Sequence, residues 1–524
     1  MEGSEDTEGV EAPTQAEEKI QSVNETEKGK SLEEDPAVLE WKLPQVKSES
    51  QQDKLQMGDL NQALPQPILY HEILWRDWQD LYDLATLTDK QFDFTVLSYN
   101  ILSQDLIGQN PHLYLHCPPS TLHWDYRWPN ILQELQHWEA DILCLQEVQE
   151  DHYRDQIKPS LTALGYSCHY KRRTGRKTDG CATCYKTQRF TLMQESHVEF
   201  FRPGIDVLNR DNVGLILVLQ PIIAEDAEDA QTPPPLCIAN THLLYNPRRG
   251  DIKLAQLAVL LAEVEKLSCV PDGSRCPIVL CGDLNATPKS PLYQLLYNGV
   301  LNCSGMPAWK VSGQEQFCSL PLPRALPHPL WPDILGINDR CQYVSRSPPK
   351  VKDRKIYTRQ RLLELRYCEY ALQRPPDLLP IKGVTDRTPD SESTAAQAGI
   401  FPDPPASLFR TPHLLQHHLQ LTSAYTHFLP AKGRHEVTTF PLGIGSTVDY
   451  IFYSAEPVPI CSTNHGLRLF QDGKLKLLGR LSLLCEDDLW AAQGLPNPFC
   501  CSDHLCLLVR FSLDLSSPQP SSEK

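Results

Sequence analysis

The stretch "PLCIANTHLLYNPRRGDIKLAQLAVLLAEVEKL" (235–267), followed by "PIVLCGDLN" (277–285), decides the reading of the fold. "LCIANTH" is apolar and strand-like up to His242. Beyond Asp251 the period changes. Leu254, Leu257, Leu261, Val264 and Leu267, with Ala258 and Leu260, recur on one side and predict an amphipathic helix. "PIVLCGDLN" predicts a buried strand running into a polar loop that holds Asp283 and Asn285. A histidine at such a strand end is either a satisfied core residue or a group aimed at something that reacts.

The same alternation extends in both directions. Upstream, "FDFTVLSYNIL" predicts a strand ending near Asn100 and "WPNILQELQHW" a helix. "DILCLQEV" is a strand ending at Glu147, and "DHYRDQIKPSLTAL" a helix. Strands follow at 166–171, 180–186, 197–202 and in "NVGLILVL". Downstream come a helix "SPLYQLLYNG", strands in "LQLTSAYTHF" and "GSTVDYIFYS", a helix "LSLLCEDDLWAAQ" and the closing "SDHLCLLVRFSL". Many strands in two halves, with helices between and after them, predict an α/β fold of two packed β-sheets with helices on the outer faces. "YHEILWRDWQDLYDLA" carries Ile73, Leu74, Trp78, Leu81 and Leu84 at roughly helical spacing and is expected to pack on the body.

Charge marks the boundaries. The chain has 524 residues and a formal net charge of −17. The first fifty residues hold 14 Asp/Glu against 5 Lys, a net of −9 that leaves −8 for the other 474. Residues 1–65 are therefore expected to form a disordered acidic tail before a folded domain at 66–512. Within that domain, 307–413 collects 16 of the 44 prolines and is expected to be a long irregular insertion. Residues 513–524 read as a polar tail. The acidic balance argues against loose adhesion to nucleic acid but leaves room for a local basic groove.

Neither a secretory signal nor a membrane span is expected. Eighteen cysteines without such a signal suggest reduced thiols and a cytoplasmic location, with perinuclear association through partners left open. Cys181 and Cys184 read as small apolar strand residues rather than half a zinc site.

The chemistry lies in a recurrence. Apolar strands begin or end at Asn100, Glu147, Asn212, His242, Asp283 with Asn285, Asp449, and Asp503 with His504. A lone carboxylate at a core strand end is costly. Either each is solvated separately, or all converge in one cleft. Converging carboxylates raise one another's pKa unless a cation sits among them. Oxygen and amide donors without a thiolate cluster favour Mg²⁺ or Mn²⁺ over zinc. A hard metal, histidine and amides suit phosphoryl transfer to water.

"SYNIL", "LQEV", "DGCATCYK", "RDNVGLI", "NTHLLYNP", "CGDLN", "TVDYIF" and "SDH" resemble, in this order, the exonuclease–endonuclease–phosphatase superfamily in its nocturnin and deadenylase-like branch. "RRTGRKTDGCA", "NPRRGDIKLAQ" and "GLPNPFCCSDHLCL" resemble the Angel group within it. The resemblance implies a four-layer α/β sandwich. It also implies Glu147 as the main metal ligand helped by Asn100, and Asp283 as base or water-orienter. Asn285 would position the phosphate, His242 and Asn212 would contact it, and His504, oriented by Asp449 or Asp503, would stabilise its pentavalent state.

Two further stretches bear on partners. "KRRTGRK" places Lys171, Arg172, Arg173, Arg176 and Lys177 in seven residues, either a solvated loop or a cleft flank that binds RNA phosphates. Arg248 and Arg249 are a second candidate pair, and Tyr245 and Trp309 could stack on bases. "YTRQRLL" aligns Tyr357 with Leu362 and Leu363 and resembles the motif by which translation regulators bind the cap-binding initiation factor.

The expected function is an Mg²⁺-dependent hydrolase of RNA 3′ ends. It would act either as a poly(A)-type 3′→5′ exoribonuclease or on a terminal 2′,3′-cyclic phosphate, the reaction associated with the Angel group. The alternative is a catalytically weak translation regulator that binds RNA and the initiation factor on a nuclease scaffold. No leucine-rich repeat precedes the domain, so the large repression complex is not an expected partner.

Overall fold

The computed structural model describes residues 70–82, 91–223, 233–270, 273–318, 324–344, 413–440, 443–458 and 469–515. The expected tail at 1–65 and the Tyr357, Leu362 and Leu363 segment lie outside the described residues.

In chain order the strands are β1 (Trp78–Asp80), β2 (Gln91–Asn100), β3 (Ile142–Gln149), β4 (Tyr166–Arg172), β5 (Asp179–Lys186), β6 (Phe190–Glu199), β7 (Val213–Pro221), β8 (Leu236–His242) and β9 (Ile278–Asp283). They continue as β10 (Val300–Asn302), β11 (Leu414–Gln416), β12 (Leu421–Ser423), β13 (Asp449–Ser454), β14 (Glu456–Pro457), β15 (Phe470–Gln471), β16 (Leu475–Leu481) and β17 (Leu507–Asp514). Three helices matter most: α1 (Trp124–Trp138), α2 (Gly250–Ser268) and α3 (Pro291–Asn298).

One sheet has the order β1-β16-β17-β2-β3-β5-β4, the other β12-β13-β9-β8-β7-β6. Each holds one parallel pair, β2 with β3 and β8 with β9. A parallel pair needs a crossover. Helix α1 supplies it in the first sheet and α2 in the second.

Alternating side chains build the layers. Phe94, Val96, Ile142 and Cys144 meet Leu217, Ile238, Val279 and Ile451 between the sheets. Leu97, Leu143 and Leu145 turn outward onto Ile131 and Leu135 of α1 and onto Ile157 and Leu161. Ile216, Ala239 and Leu280 turn outward onto Leu257 and Leu261 of α2 and Leu292 and Leu296 of α3. The result is helix, sheet, sheet, helix: the expected four-layer sandwich.

Three local expectations need correction. Among the described residues of the segment expected to be helical, only Tyr70–Ile73 is helix. Trp78–Asp80 instead pairs antiparallel with β16, and its indole lies against Gly479, where a Cβ would come within 2.8 Å of the ring. Ladder pairing and that ring contact override a weak helical period. The strand expected at 197–202 runs instead over Phe190–Glu199.

Helix α2 is not a surface amphipathic helix, because Gly250–Val264 is buried on every side. The described parts of the proline-rich stretch explain this. They are irregular, yet Ala308 and Val311 pack on Gly250, and Gln342 Nε2 donates to Glu265 Oε1 at 3.1 Å. Trp331, 1% exposed, joins the same core and donates its indole N–H to Ile337 O at 2.8 Å. A Cβ on Gly250 would fall 2.2 Å from Val311 Cβ, so glycine alone permits this approach.

No described helix is long and apolar enough to cross a membrane. No described cysteine is in a disulfide, and Cys181 and Cys184 are buried on β5.

Candidate active site

The two parallel pairs point the same kind of residue at one cleft. Asn100 ends β2, Glu147 lies near the end of β3, His242 ends β8 and Asp283 ends β9. His242 and Asp449 are both register partners of Asp283, one on each side of it. Strand carboxyl ends are where ligand clefts form in such sheets.

Local backbone devices set the aim. Pairing of β3 with β5 slips between Leu145 and Val148, and Glu147 has φ 54, a left-handed value unusual for a residue with a Cβ. The bulge separates Glu147, which joins the cleft, from Gln146, which joins the inter-sheet space. There Gln146 Nε2 donates to Asn240 Oδ1 at 2.9 Å. Asn240 Nδ2 in turn donates to Leu145 O at 3.1 Å and Ala182 O at 2.9 Å. One amide from the second sheet thus satisfies carbonyls that the bulge leaves exposed in the first. Before Asp283, Gly282 has φ 142, and a Cβ there would meet Thr241 O at 1.9 Å.

Asp283 is the hub. Asn100 Nδ2 donates to Asp283 Oδ2 at 3.2 Å and to Glu147 Oε1 at 3.0 Å. Ser103 N donates to Glu147 Oε2 at 3.1 Å, and Asn285 N to Asp283 Oδ1 at 2.9 Å. His242 Nε2 lies 3.4 Å from Asp283 Oδ2. His504 Nδ1 is 2.8 Å from Asp449 Oδ2, while its Nε2 lies 3.9 Å from both Asp283 Oδ2 and Asp503 Oδ1. The orienting partner of His504 is therefore Asp449. Asp503 Oδ2 accepts from Tyr114 OH at 3.0 Å.

Burial, then Asp503 and Asp179, push Glu147 up to about 7 against the pull of Asn100 and His504. Burial and Asp449 push Asp283 up to about 8. The two histidines diverge. Burial works against charging His504, but Asp449, Asp503 and Asp283 outweigh it and hold its pKa well above the ordinary value, so it is an imidazolium. Burial, Arg173, His504 and Lys253 lower His242 to about 3, so it is neutral. Its approach to Asp283 is therefore not an ion pair. Such divergence separates proton-donating from neutral roles.

Buried Asp449 Oδ1, Asp503 Oδ1 and His242 Nδ1 have no hydrogen-bond partner. Asp283, Asp449 and His504 offer ligand atoms within 4.8 Å of one another. Half-buried Glu147 adds another carboxylate. Unpaired carboxylate oxygens on Asp449 and Asp503, carboxyls held up at Glu147 and Asp283, an amide and, among the described residues, no thiolate fit a hard divalent cation.

Other expected residues lie less directly in the cleft. Asn212 Nδ2 donates to His242 O at 3.0 Å, and its Oδ1 accepts from Gln256 Nε2 at 3.2 Å. Asn212 therefore holds the His242 backbone, with one amide hydrogen left over. Asn285 has φ 49 and donates Nδ2 to Leu243 O at 3.2 Å.

The basic run is not a single unpaired patch. Lys171 pairs with Glu199 at 2.5 Å, Arg172 with Glu150 at 3.4 Å and Arg173 with Asp179 at 3.2 Å. Arg249 grips Asp251 with two 2.9 Å bonds at the start of α2. Arg176 is exposed, and it, Lys177 and Arg248 make no ion pair among the described residues. Tyr245 is 63% exposed beside Asp503 and Asp283.

Sequence reasoning missed Gln146, Asn240 and Lys253. Lys253, fully buried in α2, donates to Asn285 O at 2.6 Å and Gln314 Oε1 at 3.2 Å. Burial lowers its pKa to about 7. The available signal was a polar residue entering an apolar run: Gln146 beside Glu147, Asn240 before Thr241 and Lys253 between Ile252 and Leu254.

With both sheets and this cluster in place, comparison assigns the class. The Endonuclease/Exonuclease/phosphatase family model matches residues 97–504, and the chain belongs to that family. Among curated relatives, it is 54% identical over 499 residues to Protein angel homolog 1 of Homo sapiens, covering 93% of this chain and 74% of that protein. It is 49% identical over 428 residues to Protein angel homolog 2 of Homo sapiens, covering 82% and 71%. Among solved structures, ANGEL2, a 2′,3′-cyclic phosphatase, in complex with adenosine-2′,3′-vanadate, aligns with a TM-score of 0.63 and 45% identity over 84% of this chain and 99% of that one.

Proposed function

We propose that this chain is a metal-dependent hydrolase that removes 2′,3′-cyclic phosphate from RNA 3′ ends. The observation that carries hydrolysis is the convergence of both parallel strand pairs on Asp283, with Asn100, His242 and His504 around it. The choice of a cyclic phosphate over a poly(A) tail rests on the likeness to the 2′,3′-cyclic phosphatase ANGEL2.

Glu147 and Asn100 would hold Mg²⁺ or Mn²⁺, which supplies Lewis acidity at the phosphate when bound. Two waters act in turn, the first opening the ring and the second releasing phosphate; each time Asp283, fixed by Asn285 N and Asn100, orients the water and takes its proton as a P–O bond to a ribose oxygen breaks and that oxygen takes up a proton. The His504 imidazolium, aligned by Asp449, faces the charge that builds on the phosphate oxygens. Neutral His242 presents a nitrogen to the same oxygens, and Asn212 keeps its backbone in place. Asn285, beside Leu243, would position the phosphate.

The test compares wild type with Glu147→Gln on two RNAs, one ending in 2′,3′-cyclic phosphate and one ending in an A-tail with a 3′-hydroxyl, each with Mg²⁺ and with EDTA. Loss of the cyclic phosphate only with Mg²⁺ and wild type is expected. Shortening of the A-tail instead would make the chain an exoribonuclease. Equal, metal-independent results on both RNAs would return it to the RNA- and initiation-factor-binding class.

A further inference from the structure

A cavity of about 1370 Å³ opens beside the six-stranded sheet, at the end that carries Asp283 and Asp449. Its wall includes Thr287 and Pro288, just after Asn285, and Ser446 and Thr447, just before Asp449. Two residues of chain span at most about 7 Å. The near wall is therefore within the reach of one or two nucleotides from the reacting phosphate.

The lining has the chemistry of an uncharged planar ligand. Tyr293 and Phe428 line the cavity, and Phe428 is 40% exposed. His427 also lines it, 8% exposed, with neither ring nitrogen hydrogen-bonded; Ser446 Oγ, at 7%, is likewise unpartnered. Buried polar groups are normally paired, so two unpartnered ones on a single cavity wall point to a ligand.

His427 is held rigidly. Its ring stands edge-on to Tyr293 at 5.4 Å and to Tyr450 at 5.3 Å, and its backbone N–H donates to Glu436 Oε2 at 2.5 Å. Burial lowers its pKa to about 3, so the neutral ring offers one donor and one acceptor. The charged lining excludes an anion trap: Lys289 and Arg434 are set against Glu436, Glu486 and Asp487, and Arg434 Nε already pairs with Asp487 at 2.9 Å.

We propose that this cavity binds a nucleobase of the RNA strand, on the 5′ side of the reacting end. Aromatic faces stack a base, and the unpartnered His427 and Ser446 atoms, buried in the wall of the unliganded chain, are the groups its edge would pair with. The inference rests on the cyclic phosphatase reading and gives that enzyme a preference for strands over mononucleotides.

The test measures KM and kcat on adenosine 2′,3′-cyclic phosphate and on a short oligoribonucleotide with the same end. Wild type, Phe428→Ala and His427→Phe are compared; the last keeps a ring and removes the polar edge. A wild-type KM about tenfold lower on the oligonucleotide is expected, a typical value for one stacked base. Both variants should raise that KM toward the mononucleotide value and leave kcat and the mononucleotide KM unchanged. An unchanged strand preference in both variants overturns the cavity assignment while leaving the phosphatase reading intact. If wild type turns over neither substrate, the phosphatase reading fails on its own. Fluorescence anisotropy with a 3′-hydroxyl oligoribonucleotide then decides the cavity: weaker binding by the variants supports it, equal binding overturns it.

Discussion

The two strand–helix–strand units of this protein are built alike and finished differently. β2–α1–β3 ends in Asn100 and Glu147, and β8–α2–β9 ends in His242 and Asp283. In both, a parallel pair brings two polar strand ends side by side. The first contributes an amide and a half-buried carboxylate, suited to a cation. The second contributes a neutral imidazole and a buried carboxyl, suited to substrate and water. Their helices also part company. On α1, Gln133, Gln136 and His137 remain exposed, whereas α2 is enclosed from Gly250 to Val264 by the chain between Ala308 and Tyr343. The difference shows that a local pattern places a helix on an outer face, and that distant chain decides whether that face stays outer.

The division of labour is broken most sharply at Glu147. Glu147→Gln should lower turnover on a cyclic-phosphate RNA by about 10³-fold with the far-ultraviolet dichroism unchanged. A loss under tenfold would mean that the first unit does not hold the cation.

The enclosure of α2 is tested by Trp331→Ala. It should cost about 3–5 kcal/mol in denaturant unfolding. Leu132→Ala, on the half-buried side of α1, should cost less than about 1.5 kcal/mol. Equal losses would erase the contrast.

The coupling between units runs through Asn240. Asn240→Leu leaves Leu145 O and Ala182 O without their donor, which should cost about 2–3 kcal/mol. It should also reduce turnover by about 10–100-fold as the Glu147 bulge relaxes. Stability lost with turnover intact would make the amide purely structural.

Lys253 gives a pH-dependent signature, read as a slope. Its pKa is about 7 in the folded chain against 10.5 ordinarily, so between those values the unfolded chain binds more protons. Its contribution is therefore complete above 10.5 and lost as pH falls toward 7. The stability of wild type relative to Lys253→Met should rise with pH across that window, by at most about 1.4 kcal/mol per unit. A flat difference would contradict the assignment.

The smallest effect is expected on the exposed basic loop. Arg176→Ala should weaken RNA binding by a few-fold at low salt and less at high salt, since one phosphate contact changes the salt slope by about one. Arg249→Ala should instead destabilise the start of α2, because its guanidinium is bound to Asp251.

Much of this was legible in sequence. Strand ends at Asn100, Glu147, His242 and Asp283 announced themselves because an apolar run that stops at a polar residue has few interpretations. Asp449 and His504 were legible for the same reason, and the resemblance left Asp449 and Asp503 as alternative partners of His504; distance decided for Asp449, 55 residues away. The resemblance implied a phosphate contact for Asn212; only coordinates show that its amide also holds the His242 backbone. Lys171, Arg172, Arg173 and Arg249 read as available cations because the Glu199, Glu150, Asp179 and Asp251 carboxylates that neutralise them are invisible to composition. The segment around Trp78 read as helix because period alone cannot weigh a ladder offered by β16, some four hundred positions away.

By itself, the order of residues determined the alternation of strands and helices, the two halves, and the kinds of side chain at each strand end. These follow from hydrophobic period and from backbone preference, which act over a few neighbours. Tertiary structure alone decided which ends meet, which histidine carries a proton and which cations are already spent. Those outcomes depend on distance and burial in three dimensions, where a carboxylate 3 Å away outweighs any neighbour in the chain.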